Sequence, residues 1–422
     1  MGSVKSDFIN ALNHVGGGRV PVDFGATVVT GMHVSCVAAL RGYYGLEQKP
    51  VKVVEPFQML GEIDDELKDI IGVAVEGVQG PGNNFGFRNE GWKPWIFNGL
   101  DVLVPENFNV TADAEGNLYM HPGGDVDAKP SGRMPKGGFY FDAVIRQDSI
   151  ADDVDMKMNP DDNLEEFTIL SDEDVAFYKA ASDRAALTGR GIIMTLPGCG
   201  LGDIALVPGM AMKNPKGIRD VEEWYISTVT RQDCLHAIFD RQTDIAVENM
   251  KLLSRAVGDA VDAVFLCGTD FGTQISTFCS KDTFDSLYMP YYKKMTGWVR
   301  RNTKWKILKH SCGAVESFMD GFIEAGFDIL NPVQCSAAGM EPSALKDKYG
   351  DRIVFWGGGA DTQKVLPFGT PQEVAAEAAE RCRIFSKGGG FIFNAIHNVQ
   401  AGTPVENIAA MIDAVKRFNG DL

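Results

Sequence analysis

The chain has 422 residues, of which 45% are hydrophobic and 23% charged, with a formal net charge of -17. That is the composition of a folded soluble protein, long enough for one large α/β domain with insertions or for two domains. The acidic balance excludes nucleic acid or an anionic membrane as a partner held by a general basic surface.

In chain order, the residues after Met1-Gly-Ser-Val-Lys-Ser-Asp7 read as a short amphipathic stretch rather than a targeting segment. A short strand is expected at 72–75. Residues 80–145 are rich in Gly, Asn and Pro, with short alternating pieces at 100–104, 107–111, 117–120 and 138–141 and a hairpin turn at Glu115-Gly116-Asn117. This region reads as an antiparallel β insertion near the N-terminal third, placed over the mouth of a single domain spanning 1–422. A strand at 191–196 and a long helix over 221–257 follow.

From there the pattern alternates regularly. Strands are expected at 263–266, 305–308, 328–330, 353–356 and 391–393. Helices fall at 282–301, 315–325, 342–349, 371–385 and 404–418. Strands separated by helices of this length imply parallel crossovers, and their number predicts an α/β fold of the (β/α)8 TIM-barrel type. An open doubly wound sheet is the runner-up, but no GxGxxG opens a helix after a first strand.

Five successive strand ends open into loops carrying reactive or amide groups: Asp270 and Gln274, then His310 and Cys312, Gln334 and Cys335, Asp361, and His397. In such a barrel the loops at the strand ends build the active site. His310 and Cys312 stand two residues apart past one strand and can reach one ion. Zinc accepts Cys and His in a tetrahedral shell and leaves a position open in catalytic sites. His397 completes a two-His, one-Cys set, with Cys335 as the competing third ligand. Asp270, Gln274 and Gln334 are the expected substrate-positioning groups. Asp361 follows three glycines, but no Lys-Ser/Thr makes a phosphate loop of them. His33 is expected to cap or pack, and the tryptophans to be mostly core, with a pocket-lining place near the mouth as the alternative for Trp356. Eight cysteines without a CxxC, and no apolar run of about 18 residues, point to a reducing, cytoplasmic, non-membrane setting.

These motifs carry a resemblance. His310-Ser-Cys-Gly-Ala-Val, Gly326-Phe-Asp-Ile-Leu-Asn-Pro-Val-Gln334, Phe355-Trp-Gly-Gly-Gly-Ala-Asp361 and Asn394-Ala-Ile-His-Asn-Val-Gln400 occur in the order seen in the uroporphyrinogen decarboxylase superfamily. The chain is more similar to the zinc-dependent, corrinoid-linked methyltransferase branch than to the decarboxylases themselves. It lacks the N-terminal Arg-Gln-Ala-Gly-Arg segment of the latter; its early arginines are Arg19 and Arg41. The resemblance implies methyl transfer between a small-molecule donor or thiol acceptor and a corrinoid protein, with zinc as cofactor, and admits a homodimer. It places His397 where the methyltransferases have a Cys. A metal-free decarboxylase (a lyase) and a non-catalytic corrinoid- or tetrapyrrole-binding protein are the alternatives.

Overall fold

The computed structural model describes residues 3–148, 150 and 158–422. Seven strands form one parallel sheet, in the spatial order Phe391–Ile392, Val354–Trp356, Ile329–Asn331, Lys306–His310, Ala263–Cys267, Gly191–Thr195, Val75–Val78. Each strand lies beside its predecessor of this set in the chain, as right-handed βαβ crossovers produce. The sheet curls until its edges meet on a single residue. Val22 bridges Phe393 on one side and Val73 on the other, both in parallel. Asp23 N–H donates to the Phe393 carbonyl (2.8 Å) and Ala74 N–H to the Val22 carbonyl (2.7 Å). The result is a TIM-like α/β sheet with residues 21–23 standing between its first and last strands.

Inward-facing Val75, Ile193, Ala263, Phe265, Leu308, Ile329, Val354, Trp356 and Ile392 pack into one interior cluster. The helix Val4–Leu12, capped by the Ser3 side chain, adds Phe8 to that cluster. Phe8 meets Trp356 edge-on at 5.6 Å, and a Cβ on Gly191 would lie 2.0 Å from the Phe8 ring. Trp356 is therefore a fully buried interior residue, not a pocket-lining one; its Nε1 donates to Asp23 Oδ2 (2.9 Å). Phe8→Ala is expected to cost about 3–5 kcal/mol, because a fully buried aromatic leaves a cavity that the interior cannot refill. Urea unfolding should show a lower midpoint with an unchanged slope.

The expected strands of the C-terminal half appear within two residues of their predicted ends, while 72–75 is displaced to Val75–Val78. The long helix differs: it breaks at Arg231 into Val221–Thr230 and Gln232–Val257. Arg231 leaves helical geometry (φ -133°, ψ 39°), and its guanidinium turns back to Glu223 (2.7 Å) and Ser227 (3.1 Å). An ion pair takes the place of one turn of continuous helix, and apolar periodicity does not register it.

The β-rich region begins earlier than residue 80. Leu60–Gly61, Val51–Glu55, Leu100–Val104 and Lys93–Phe97 form one four-stranded sheet, in which Val51–Glu55 and Leu100–Val104 pair in parallel. Pro94 argues against a strand in the sequence, yet Lys93–Phe97 is an edge strand, where a missing N–H is tolerated. A second, antiparallel sheet contains Val110–Ala112, Leu118–Met120, Gly132–Met134 and Asp142–Ala143. The predicted hairpin at Glu115-Gly116-Asn117 joins its first two strands, with Gly116 at φ 86°. Residues 138–141 form an irregular bend instead of a strand. Phe85, Phe97, Phe108 and Phe141 are buried in the same apolar cluster as the helices around the parallel sheet. Among the described residues, no helix is long and apolar enough to cross a membrane.

Candidate metal centre

Two stretches at the carboxyl ends of parallel strands, the end of Lys306–His310 with the turn after it and the loop after Phe391–Ile392, bring His310, Cys312 and His397 together. One ligand atom from each lies within 4.8 Å of the others. His310 Nε2 stands 3.5 Å from Cys312 Sγ, and the two imidazoles meet at 5.5 Å with their planes 70° apart. The separation of His310 and Cys312 is what two ligands of one tetrahedral zinc require, at about 2.0–2.3 Å from the ion.

The lone pair of His310 is aimed by a chain of hydrogen bonds. Asn331 Nδ2 donates to the Trp356 carbonyl (3.0 Å), so its Oδ1 faces His310 Nδ1 at 2.7 Å as an acceptor. Nδ1 must then carry the proton, leaving Nε2 unprotonated beside Cys312. Burial pushes the His310 pKa down to about 4, against the Asn331 hydrogen bond, which works in the opposite direction. Burial also takes His397 down to about 4, with His310 adding to the shift and Asp270 opposing it. Both rings are therefore neutral near pH 7. Among the described residues neither ring nitrogen of His397 has a hydrogen-bond partner. Burial, and then the neighbouring Asp270, raises the Cys312 thiol well above its ordinary value. Two neutral imidazoles with a free lone pair, and a thiol that lacks a cation in contact with it, suit a divalent ion well. The donor set fits zinc.

The turn after the Lys306–His310 strand is fixed from three sides. Cys312 N–H donates to Asp270 Oδ1 (2.7 Å), Gly313 N–H to Gln334 Oε1 (2.7 Å), and Ala314 N–H to the Thr273 carbonyl (2.8 Å). Gly313 sits at φ 87°, and a Cβ there would lie 2.3 Å from the Gly272 carbonyl oxygen, so only glycine passes. Gln334 Nε2 donates to Gln274 Oε1 (2.7 Å), and Gln274 Nε2 to the Ser336 carbonyl (2.8 Å). Asp270, Gln274 and Gln334 thus converge on the centre, and their hydrogen bonds run to the loops that carry it. Asp270 Oδ1 is 4.0 Å from His310 Nε2, with burial raising the carboxyl's pKa and the Cys312 N–H opposing it.

His397 is fastened from the other end of the chain. Asn394 Nδ2 donates to the Asp23 and Thr30 carbonyls, while Asn398 accepts from Gly31 N–H (2.7 Å) and donates to Gln58 Oε1 (2.8 Å). An open cleft of about 340 Å³ lies over the centre, lined among others by Gln274, Cys312, Gln334, Asp361 and His397. Cys335 stays outside the three-ligand group, its thiol directed at the Val333 carbonyl (3.4 Å). Asp361 Oδ1 accepts from Gln363 N–H and closes a turn. His33 caps the helix Val34–Tyr43, accepting from Ser35 N–H, and packs against Phe97 and Phe139.

Three residues near the centre escaped the sequence. Asn331 was only a loop amide there. Lys309 lay just past the expected strand 305–308 and is inside the observed one, Lys306–His310. Asp203 follows Pro197-Gly-Cys-Gly-Leu-Gly202, a strand-end loop left unread. A Cβ on Gly268 would lie 2.6 Å from Asp203 Oδ2, and burial, then Asp270, raises the Asp203 carboxyl to about 7.

Residues 209–418 match the family described as Uroporphyrinogen decarboxylase (URO-D). The uroporphyrinogen decarboxylase of Anaeromyxobacter dehalogenans is 24% identical over 189 residues, covering 43% of this chain and 48% of that protein. That of Coxiella burnetii is 26% identical over 89 residues, covering 20% of this chain and 24% of the other. The chain thus matches about a quarter to about half the length of these curated relatives. A methyltransferase from Methanosarcina mazei superposes with a TM-score of 0.54 at 14% identity, covering 99% of both chains. That likeness is one of fold.

Proposed function

Because the chain belongs to the uroporphyrinogen decarboxylase superfamily, we propose that it is a zinc-dependent methyltransferase-like enzyme with His310, Cys312 and His397 as metal ligands. The observation that carries this reading is the convergence of the three ligand atoms within 4.8 Å, with the His310 proton held on Nδ1 by Asn331. Zinc bound there supplies a Lewis acid that lowers the pKa of a thiol or polarises a methoxy- or methylamine-type donor. The chain's own residues do the rest. Asp270 and Gln334 hold the Cys312–Gly313 backbone, Gln274 braces Gln334, and the cleft beside them admits a small molecule. In this reading the 80–145 region covers the mouth of a single domain, and a corrinoid protein is the methyl-carrying partner.

Protein purified without added metal should contain about one equivalent of zinc, lost when His310, Cys312 and His397 are together changed to Ala. Less than about a tenth of an equivalent, unaltered by the triple substitution, would sink the reading.

A metal-free decarboxylase has the matches to curated decarboxylases in its favour, but its carboxylate clamp has no counterpart here. Arg19 is engaged by Asp421 and Asp7, and Arg41 is buried against Asp64 and Glu66. If that reading held, CO2 release would vanish in Asp270→Ala and survive in Cys312→Ala.

A further inference from the structure

Side chains alternate along a strand, so Lys309 points away from the face shared by Leu308 and His310. It enters the layer between the sheet and its helices, where it is fully buried. Its Nζ lies 5.1 Å from the ring centre of Phe271, 5.6 Å from that of Phe322 and 5.8 Å from that of Tyr292. It donates to the carbonyls of Thr269 and His310, each at 2.5 Å. Among the described residues no carboxylate oxygen comes within 4.0 Å of it.

Three aromatic faces and two carbonyl dipoles stabilise a cation in such a layer, but a methionine would fill the same space without a buried charge to compensate. Packing therefore does not account for a lysine here. The carbonyls it holds suggest what does. Thr269 precedes Asp270, the acceptor for Cys312 N–H, and His310 is itself one of the three candidate ligands. One nitrogen joins the two turns from behind. Lys309 thus sets a buried positive charge behind the two turns that carry Asp270 and Cys312.

We propose that Lys309 is a positioning residue of the metal centre, a built-in counter-charge that clamps the Thr269–Asp270 and His310–Cys312 turns in ligating geometry. The proposal rests on the reading of His310, Cys312 and His397 as metal ligands.

The test is zinc affinity of the metal-free full chain, measured by chelator competition, for Lys309→Met, Lys309→Gln and Lys309→Arg. Met keeps the bulk, Gln keeps a hydrogen-bond donor without charge, and Arg keeps the charge. Met and Gln are expected to weaken binding about 10- to 100-fold, the usual effect of losing a group that orients metal ligands. Arg should recover part of the loss, and Met should melt no lower than the parent protein. Should Met fail to fold, Gln and Arg carry the comparison. A folded Met or Gln variant with parental zinc affinity overturns the proposal, as does equal weakening in Gln and Arg. If the parent chain binds no zinc, the metal reading falls and takes this one with it. If the parent binds zinc and the Met variant matches it, only the role of Lys309 is lost.

Discussion

Asn331→Leu is expected to lower zinc affinity about 10- to 100-fold and to destabilise the fold by about 1–3 kcal/mol. Two effects add at this residue. The carboxamide is fully buried between His310 Nδ1 and the Trp356 carbonyl, so an apolar replacement leaves a buried donor and a buried acceptor unsatisfied. It also releases the tautomer: with no acceptor at Nδ1, the imidazole proton is free to move to Nε2 and block the lone pair that faces Cys312. Zinc affinity by chelator competition and stability by urea unfolding read the two effects separately. Loss of stability with unchanged affinity would show that Asn331 is only a packing group.

The second large effect concerns pH. Asp23 is fully buried, and desolvation raises its pKa to about 7, against hydrogen bonds from Ala26 N–H, Thr30 and Trp356. Its folded pKa lies above the unfolded value of about 3.9, so the folded chain binds more protons between these limits. The contribution is therefore fully present below about pH 4 and is lost as pH rises toward 7. Between pH 5 and pH 8 that amounts to about 3 kcal/mol, at about 1.4 kcal/mol per pH unit up to the folded pKa. His33, His310 and His397 act in the opposite sense. Burial lowers each to about 4, so they favour folding increasingly as pH rises from 4 to about 6.5. Glu55 and Asp203, whose carboxyls burial also raises to about 7, act in the same sense as Asp23, so the parent chain shows only the net of these groups and Asp23→Asn isolates one of them. The variant's stability should gain on the parent's by about 3 kcal/mol between pH 5 and pH 8, read by urea unfolding at both. Equal pH dependence in the two proteins would show that Asp23 ionises normally.

Much of the architecture was legible because each parallel strand is a continuous apolar run between helices of ordinary length. Buried parallel strands read that way, and their ends fell where the runs stop. His310, Cys312 and His397 were legible because each follows such a run within a few residues. What failed to read was set by contacts rather than pattern. The break at Arg231 depends on an ion pair with Glu223, and the edge strand Lys93–Phe97 carries a proline that only its position in the sheet excuses. Trp356 lies near a strand end, yet it turns inward onto Phe8 because the first helix occupies the interior. Asn331 and Lys309 act through atoms 21 and 40 residues away, and no local signal announces either.

The meeting of the sheet's two edges on Val22 has a consequence for how the chain is made. Residues 20–33 leave the ribosome well before groups they pair with, Asn394 and Asn398, which follow them by 364 to 371 residues. Until those partners emerge, Val20, Val22 and Phe24, buried in the folded chain, lack these neighbours, and such exposed segments are where association between nascent chains begins. The loop bearing His397 takes its place only when that junction forms. The third candidate ligand is then the last of the three to arrive, so a chain stopped before Phe391 would hold His310 and Cys312 without it.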